Sequence, residues 1–228
     1  TTCEIGTMLE LRDITKSFPQ QRVLEGISLT VGDGESVAIM GPSGSGKSTL
    51  LHCMSGVLVP DQGEVLFDDR DVAAMSDAER SRLRLEHFGF IFQDGQLLPE
   101  LTATENVALP RIMRGVSRSQ AHNDAVDMLT RLGLGAYVDR YPGQLSGGQG
   151  QRVAIARALA GPPSVVFADE PTAALDQATG HEVMQQIVAV CQKFGVTLVV
   201  VTHDPKIADW CSRRVEIRDG LIHSEVAR

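Results

Sequence analysis

Apolar and polar residues alternate in the first part of the chain. The segments MLELRDI and VLEGISLTV show this pattern, which is typical of strands that bury one face. The runs SVAIM, SVVFAD and VTLVVVTHD are almost continuously apolar, and helical patterns follow them. Buried strands that alternate with helices form a mainly parallel sheet. The pattern therefore predicts an α/β core with a mainly parallel sheet and an N-terminal antiparallel β region.

The pattern becomes helical between residues 94 and 163, where no strand pattern occurs. Ser117 can cap a helix, because Gln120 follows three residues later, and Gly133 is expected to follow the end of that helix. Apolar residues recur between them at helical spacing: Ala121, Ala125, Met128, Leu129 and Leu132. The sequence therefore predicts a helical insertion in the α/β core. Near the end of the chain, RDGLI predicts a hairpin turn with Asp219-Gly220 at its tip.

Composition is that of a soluble globular protein, with 43% apolar and 22% charged residues in 228. The net charge of −8 provides no overall attraction to nucleic acid or to an anionic membrane. The start TTCEIGTMLE is too polar for a secretion signal, and the apolar runs are strand-sized, so we expect a cytoplasmic protein without membrane spans. Four cysteines lack the C-x-x-C spacing of metal sites and are expected to be reduced thiols: Cys3, Cys53, Cys191 and Cys211.

A phosphate-loop pattern, G-x-x-x-x-G-K-[ST], follows the SVAIM strand directly and opens the helical segment STLLHCMSGV. In this context backbone N–H groups point at phosphate oxygens, and the helix dipole adds positive potential. Lys47 is expected to reach the β- and γ-phosphates of a nucleotide, and Ser48 to offer its hydroxyl to Mg²⁺. The predicted phosphate-binding residues are Gly41, Pro42, Ser43, Gly44, Ser45, Gly46, Lys47, Ser48 and Thr49.

Two carboxylates, Asp169 and Glu170, end the apolar run SVVFAD. Ligands bind at the carboxyl ends of parallel strands, so Asp169 is expected to hold Mg²⁺, directly or through water. Adjacent residues of a strand point in opposite directions, so Glu170 should have a different role. We expect Glu170 to act on the water that attacks the γ-phosphate, as a general base or an orienting group. The alternative is that one of the two acids only caps the next segment.

Two further polar residues stand at strand ends. Gln93 follows FGFIF, and His203 follows VTLVVVT. Each alone would more often be a solvated loop residue, but together with Asp169 they form a set at the expected ligand edge of the sheet. Gln93 is expected to contact Mg²⁺ or the attacking water, and His203 to hydrogen-bond the γ-phosphate.

The stretch QLSGGQGQRVAIARALA contains a second possible anion seat. Ser146 can cap the amphipathic helix that follows, and Gly147 and Gly148 leave backbone N–H groups accessible. A plain capped helix is the alternative, but it gives no reason for the paired glycines. Since the phosphate loop already provides one seat, the second is expected to serve the nucleotide of a neighbouring chain.

These motifs resemble the ATP-binding subunits of ABC transporters over essentially the whole chain. GPSGSGKST resembles their Walker A loop, VVFADE their Walker B strand and LSGGQ, with Gln149, their signature; AALD, with Asp176, resembles the D-loop. Gln93 and His203 match the Q-loop glutamine and the switch histidine. Phe18 stands where the family has an aromatic residue, most often Tyr, that stacks on adenine, and Val23 is expected beside it. The resemblance implies an ATPase with Lys47, Gln93, Glu170 and His203 as its catalytic residues.

A subgroup is suggested by FIFQDGQLLPELTATENVALP, which is similar to the ATPases of macrolide-efflux, lipoprotein-releasing and cell-division type permeases; haem and peptide exporters share this architecture. The resemblance implies a bacterial homodimer that binds Mg-ATP between its two copies, on the cytoplasmic face of the membrane beneath two copies of a separate permease. The cargo is left open. Gly150 departs from the family, where Gln, Arg or Lys is more frequent, and a small effect on stability is expected.

The resemblance implies one ABC ATPase domain over residues 1–228. Residues 1–93 would hold the nucleotide-binding core and the antiparallel β subdomain, 94–160 the helical subdomain with the signature, and 161–228 the rest of the core. Alternatives are a mechanotransmitting ATPase of cell division, a nucleic-acid or ribosome-associated ATPase, and a small-molecule kinase. The kinase would leave LSGGQ unexplained, and the acidic charge argues against nucleic acid as a partner.

Overall fold

A computed structural model describes residues 7–19 and 21–227 of the chain. The predictions for Cys3 and for the polar segment TTCEIG lie outside the described residues. The strands are β1 (Thr7–Phe18), β2 (Gln21–Gly32), β3 (Ser36–Met40), β4 (Gln62–Phe67), β5 (Arg70–Asp71), β6 (Phe88–Ile91), β7 (Val165–Asp169), β8 (Thr197–Val201), β9 (Arg213–Arg218) and β10 (Leu221–Ala227). The helices are α1 (Lys47–Met54), α2 (Asp77–His87), α3 (Ala103–Met113), α4 (Arg118–Arg131), α5 (Gly147–Ala160), α6 (Gln177–Phe194) and α7 (Pro205–Ala208), with 3₁₀ turns at Gly135–Tyr137 and Pro142–Gln144.

Two sheets form the framework. The smaller sheet is antiparallel, with the strand order β2-β1-β4-β5. The larger sheet has the order β10-β9-β3-β8-β7-β6, in which the strands from β9 to β6 run parallel and β10 pairs with β9 in the antiparallel sense. The predictions of an antiparallel N-terminal region and of a mainly parallel sheet are both confirmed.

Two hydrophobic clusters cover the two faces of the larger sheet. Along β3, Val37 and Ile39 lie in the cluster with α1 and the small sheet, while Ala38 and Met40 lie in the cluster with the helices α3 to α6. This division follows from the alternation of side chains along a strand. Because each central strand is covered on both faces, its sequence is continuously apolar.

The helical insertion lies between β6 and β7. No strand falls between residues 94 and 163, all of which the structure describes, so the predicted insertion is confirmed. Asn106 of α3 is fully buried. Its amide donates to the carbonyls of Leu98, Leu101 and Thr102, and its Oδ1 accepts from the Leu98 N–H. These bonds fasten the segment before α3 to the helix itself.

Two local predictions are also confirmed. The Ser117 hydroxyl accepts from the N–H of Gln120 at the start of α4, and Gly133 follows the end of that helix with φ of 77°. Asp219 and Gly220 both adopt positive φ, at 48° and 74°, as a type I′ hairpin turn requires.

Cys53, Cys191 and Cys211 are free and buried, as expected of reduced thiols. Burial raises the pKa of each to about 12, so these thiols stay protonated and unreactive at neutral pH. Within the described part of the chain, no helix combines the length and the apolar character that a membrane span needs.

Candidate functional site

The phosphate loop joins the end of β3 to α1. Gly44 and Gly46 adopt left-handed φ values of 81° and 98°, which cost little for a residue without Cβ. A Cβ on Gly46 would lie 2.8 Å from the carbonyl oxygen of Val23, so the loop packs too closely on β2 for a larger residue. Gly46 precedes α1 without a side-chain cap. The first turn of α1 therefore presents backbone N–H groups to the loop.

A cavity of about 450 Å³ lies along this loop. Lys47 is buried, and its Nζ donates to the carbonyl of Pro42 at 2.9 Å. The Ser45 hydroxyl is also buried and, among the described residues, has no hydrogen-bond partner. A buried ammonium beside an unsatisfied hydroxyl and open N–H groups is a donor set that fits an anion. The cavity is lined by Gln21, Val23, Ser43, Gly44, Gly46, Lys47, Ser48, Thr49 and Glu170.

Asp169 and Glu170 point to different partners at the end of β7. The Ser48 hydroxyl donates to Asp169 Oδ1 at 3.0 Å, whereas Glu170 Oε1 lies 2.9 Å from Nδ1 of His203. The Glu170 N–H donates to the carbonyl of Val201, and its φ is 47°. This left-handed backbone, rare for a residue with a side chain, turns Glu170 away from the direction of Asp169.

Glu170 lines three neighbouring cavities. The first is the cavity of the phosphate loop; the second, of about 460 Å³, is shared with Ser48, Gln93 and Asp169. The third, of about 270 Å³, also contains Asp176 and His203. The Glu170 carboxylate therefore lies where the phosphate loop, the Gln93 segment and the His203 loop meet.

The second glycine-rich segment caps α5. The Ser146 hydroxyl accepts from the Gln149 N–H at 3.3 Å, and Gln149 Oε1 accepts from the Ser146 N–H at 2.8 Å. A Cβ on Gly148 would lie 2.7 Å from Cγ2 of Thr179. Close packing of α5 on α6 therefore gives a structural reason for one of the paired glycines, which the sequence did not provide.

Asp176 is the N-cap of α6. Its carboxylate accepts from the hydroxyl and the N–H of Thr179, at 2.6 and 3.1 Å, and these bonds lower the pKa of Asp176. In this chain the side chain therefore has a capping role that does not need a nucleotide.

A sequence profile of the ABC transporter family matches residues 24–173. This chain belongs to the ABC transporter family. It is 45% identical over 219 residues to the lipoprotein-releasing system ATP-binding protein LolD of Shewanella frigidimarina. This alignment covers 94% of this chain and 92% of LolD. It is 46% identical over 225 residues to the macrolide export ATP-binding/permease protein MacB of Photorhabdus laumondii. This alignment covers 97% of this chain but only 35% of MacB.

Among solved structures, the fold is similar to the dimeric structure of a post-hydrolysis state of the ATP-binding cassette MJ0796 bound to ADP and Pi. The TM-score is 0.89 at 39% identity, and the match covers 96% of this chain and 98% of the cassette. The predicted ABC ATPase fold is confirmed, and so is the predicted subgroup, which includes LolD and MacB. The chain is an ATP-binding domain and a transport ATPase.

The ABC domain brings one set of the predicted residues together and leaves another set apart. Lys47, Ser48, Gln93 and Asp169 lie on the cavities that Glu170 also lines. Val23 lines the loop cavity, while Phe18 lies at the end of β1, 46% exposed and outside the lining set. Ser146 and Gly147 line a different cavity, of about 380 Å³, which they share with Gln93.

Three residues of the ABC domain were missed by the sequence interpretation. Gln21 lines the phosphate-loop cavity and pairs with Phe18 across the β1–β2 register. Gln151 and Arg157 of α5 hydrogen-bond to the backbone of the Gln93 segment. The available signal for Gln151 and Arg157 was polarity. Arg157 lies within the otherwise apolar stretch VAIARALA, and Gln151 lies two residues before it.

Proposed function

We propose that this ABC domain binds Mg-ATP on the phosphate loop, hydrolyses it through Glu170, and thereby drives a membrane permease. The observation that carries the proposal is the position of Glu170, which lines the loop cavity and also the cavity of Ser48, Asp169 and Gln93. Phosphate, cation and attacking water would thus meet beside one carboxylate.

Phosphate binding is assigned to the phosphate loop. Lys47 would exchange its bond with the Pro42 carbonyl for bonds to the β- and γ-phosphates, and the Ser45 hydroxyl would gain the partner it lacks. The uncapped N–H groups at the start of α1 would bind the remaining phosphate oxygens. Val23 and the exposed ring of Phe18 are assigned to the nucleoside end, the ring by stacking on adenine.

Ser48 and Asp169 fit Mg²⁺. Hydroxyl and carboxylate oxygens are the ligands that Mg²⁺ prefers, and in such sites phosphates and waters complete the shell. Within residues 7–19 and 21–227, no cluster of three or more His, Cys, Asp or Glu forms a self-sufficient metal site, which agrees with a cation shared with the nucleotide. When bound, Mg²⁺ would neutralise charge on the β- and γ-phosphate oxygens.

Glu170 is assigned to the attacking water. Its carboxylate would accept a proton as the water oxygen bonds to the γ-phosphorus and the bond to the β-phosphate oxygen breaks, which gives ADP and phosphate. His203 Nδ1 lies within hydrogen-bond distance of the Glu170 carboxylate, and His203 would hydrogen-bond the γ-phosphate when ATP is present. Gln93 would complete the water and cation site from its side of the cavity.

A second copy of the chain would complete the site. Ser146, Gly147, Gly148 and Gln149 do not line the phosphate-loop cavity of their own chain, and they are assigned to the ATP of the partner, with Asp176 nearby. The dimeric MJ0796 cassette supports this arrangement. Closure around ATP and reopening after hydrolysis would then be the motion that drives transport.

The permease would dock on a largely apolar groove of about 400 Å³ between the core and the helical insertion. Its walls include Val57, Phe88, Phe90 and Pro110, and it reaches Gln96 of the Gln93 segment. LolD is named as part of a lipoprotein-releasing system, and MacB is named as an ATP-binding/permease protein for macrolide export, which supports a permease as the partner. The ABC domain would then lie peripherally on the cytoplasmic face of the membrane.

Replacing Glu170 tests the assignment directly. The isosteric variant Glu170→Gln should still bind ATP but lose turnover by at least about a hundredfold, since one catalytic group contributes about that factor. It should also accumulate as an ATP-bound dimer in size-exclusion chromatography. The control is Glu100→Gln, an exposed glutamate that lines none of the cavities described above. Turnover of Glu170→Gln at the wild-type rate would show that another group activates the water.

A further inference from the structure

The segment that carries Gln93 is attached to α5 through its backbone. After β6 ends at Ile91, the Gly95 N–H donates to the Phe92 carbonyl to close a turn. Gly95 and Gln96 then both adopt left-handed φ, at 70° and 43°. The carbonyls of Gly95 and Gln96 both accept hydrogen bonds from one side chain.

That donor is Arg157. Its Nη2 donates to the Gly95 carbonyl and its Nη1 to the Gln96 carbonyl, both at 2.7 Å. Among the described residues, no carboxylate lies within ion-pair distance of this guanidinium, and burial lowers the pKa of Arg157. The two carbonyls thus take the place of a counter-ion for a partly desolvated cation. Charge-assisted bonds of this kind are about twice as strong as neutral ones.

Gln151 forms a second anchor six residues earlier on α5. Its side chain is only 3% exposed, and its Nε2 donates to the Phe92 carbonyl at 2.9 Å. The two anchors hold the backbone on both sides of Gln93. Because α5 begins directly after Ser146, the same helix carries the second glycine-rich segment at one end and the attachment of Gln93 along its length.

We propose that Arg157, assisted by Gln151, is the positioning residue for Gln93 and makes it move as one body with Ser146. The inference rests on the proposed role of Gln93 in hydrolysis. A motion of α5, whether caused by the partner chain at Ser146 or by a permease in the groove that Arg157 and Gln96 both line, is then passed to the catalytic site. Loosening the anchors disturbs the chemical step and leaves ATP binding unchanged.

The variant that tests this is Arg157→Lys in the full chain, with hydrogen exchange measured before nucleotide is added and the ATPase kinetics measured afterwards. Lysine keeps the charge but replaces the planar fork with a single donor centre, so it cannot hold both carbonyls in the same way. Amide hydrogen exchange of residues 94–98 should become about tenfold faster. The kcat for ATP should fall about tenfold, as expected when a catalytic group is displaced by a fraction of an ångström, while the Kd for ATP stays within about twofold. The matched control is Arg152→Lys on the same helix, which pairs with Glu182 and should change none of these.

A double-variant cycle tests whether the effect passes through Gln93. Adding Arg157→Lys to Gln93→Ala should lower kcat by less than about twofold further, because the positioned group is already absent. A full tenfold further loss would mean that Arg157 acts by another route and would overturn the positioning role. If Gln93→Ala itself leaves kcat unchanged, the proposed role of Gln93 fails, and the exchange measurement still decides whether the anchors exist.

A second variant covers the case in which Arg157→Lys does not fold. Gln151→Leu removes the other anchor with an apolar side chain of similar size, and the same faster exchange at residues 94–98 is expected, with kcat lowered and Kd unchanged. Exchange at the wild-type rate in the folded variant, or a weakened Kd with kcat intact, contradicts the proposal.

Discussion

Two glycine-rich segments open helices in this ABC domain, and they differ in how their first N–H groups are satisfied. α1 follows Gly46 and has no side-chain cap. α5 follows Ser146, and reciprocal bonds with Gln149 close its end as a capping box. The first end is ready for an anion, whereas the second already satisfies part of its own hydrogen bonding.

The two helix ends therefore differ in how they can bind phosphate. The end of α1 after Gly46 is called the first seat, and the end of α5 after Ser146 is called the second seat. The end of α1 adds a buried lysine and an unsatisfied hydroxyl to its open N–H groups, so it can hold a polyphosphate alone. α5 has no cation in its first turn. We therefore expect the second segment to bind phosphate only when a nucleotide is already held elsewhere, as in the proposed pair of chains.

The largest expected effect comes from removing the cation of the first seat. Lys47→Met should lower ATP turnover at least about a hundredfold and weaken ATP binding, because the charge acts in a buried place. Steady-state ATPase assays and nucleotide titration measure the two effects. Lys193→Met, at an exposed position on α6, is the control. Near-normal binding by Lys47→Met would remove the contrast between the two seats.

An intermediate effect is expected at the second seat from Gly148→Ala. The added Cβ meets Thr179 Cγ2 at 2.7 Å, and overpacking of this kind lowers the free energy of unfolding by about 1–3 kcal/mol. Adding Thr179→Ser removes that methyl group, keeps the hydroxyl that bonds Asp176, and should restore stability in urea denaturation.

Comparison of Gly148→Ala with the double variant also shows whether Gly148 is needed for packing or for ligand binding. If the double variant regains stability but not ATPase activity, the methyl group added at position 148 obstructs the partner's nucleotide, which supports the second seat. If it regains both, Gly148 is required for packing alone. Failure to regain stability would mean that the contact with Thr179 is not the reason for glycine.

The smallest effect is expected at Gly150. A Cβ there meets no atom within 4 Å, so Gly150→Gln replaces a poor helix former by a good one without a clash. The free energy of unfolding should rise by up to about 1 kcal/mol, with ATPase activity unchanged. A loss of stability or activity would show that the glycine is needed for a contact made in the assembled transporter.

Local signals were sufficient for much of the fold and the first seat. The phosphate loop was predictable because its strand, glycines, lysine and helix are contiguous in the chain. Strand alternation predicted different roles for Asp169 and Glu170, and their partners Ser48 and His203 are different. The cause differs from the predicted one, because β7 ends at Asp169 and Glu170 adopts a left-handed φ. Contacts between distant segments were not predictable. Gly148 packs on Thr179, and Arg157 bonds carbonyls 61 and 62 residues away.

At position 170, backbone stability and the proposed role in hydrolysis favour different residues. Its φ of 47° belongs to a region that glycine occupies freely and that costs other residues about 1 kcal/mol or more. Folding stability alone would therefore favour glycine at position 170, whereas the proposed role in ATP hydrolysis requires the carboxylate. A search for more heat-resistant forms of this domain would have to protect that residue, because the substitution that most relaxes the backbone there also removes the proposed base.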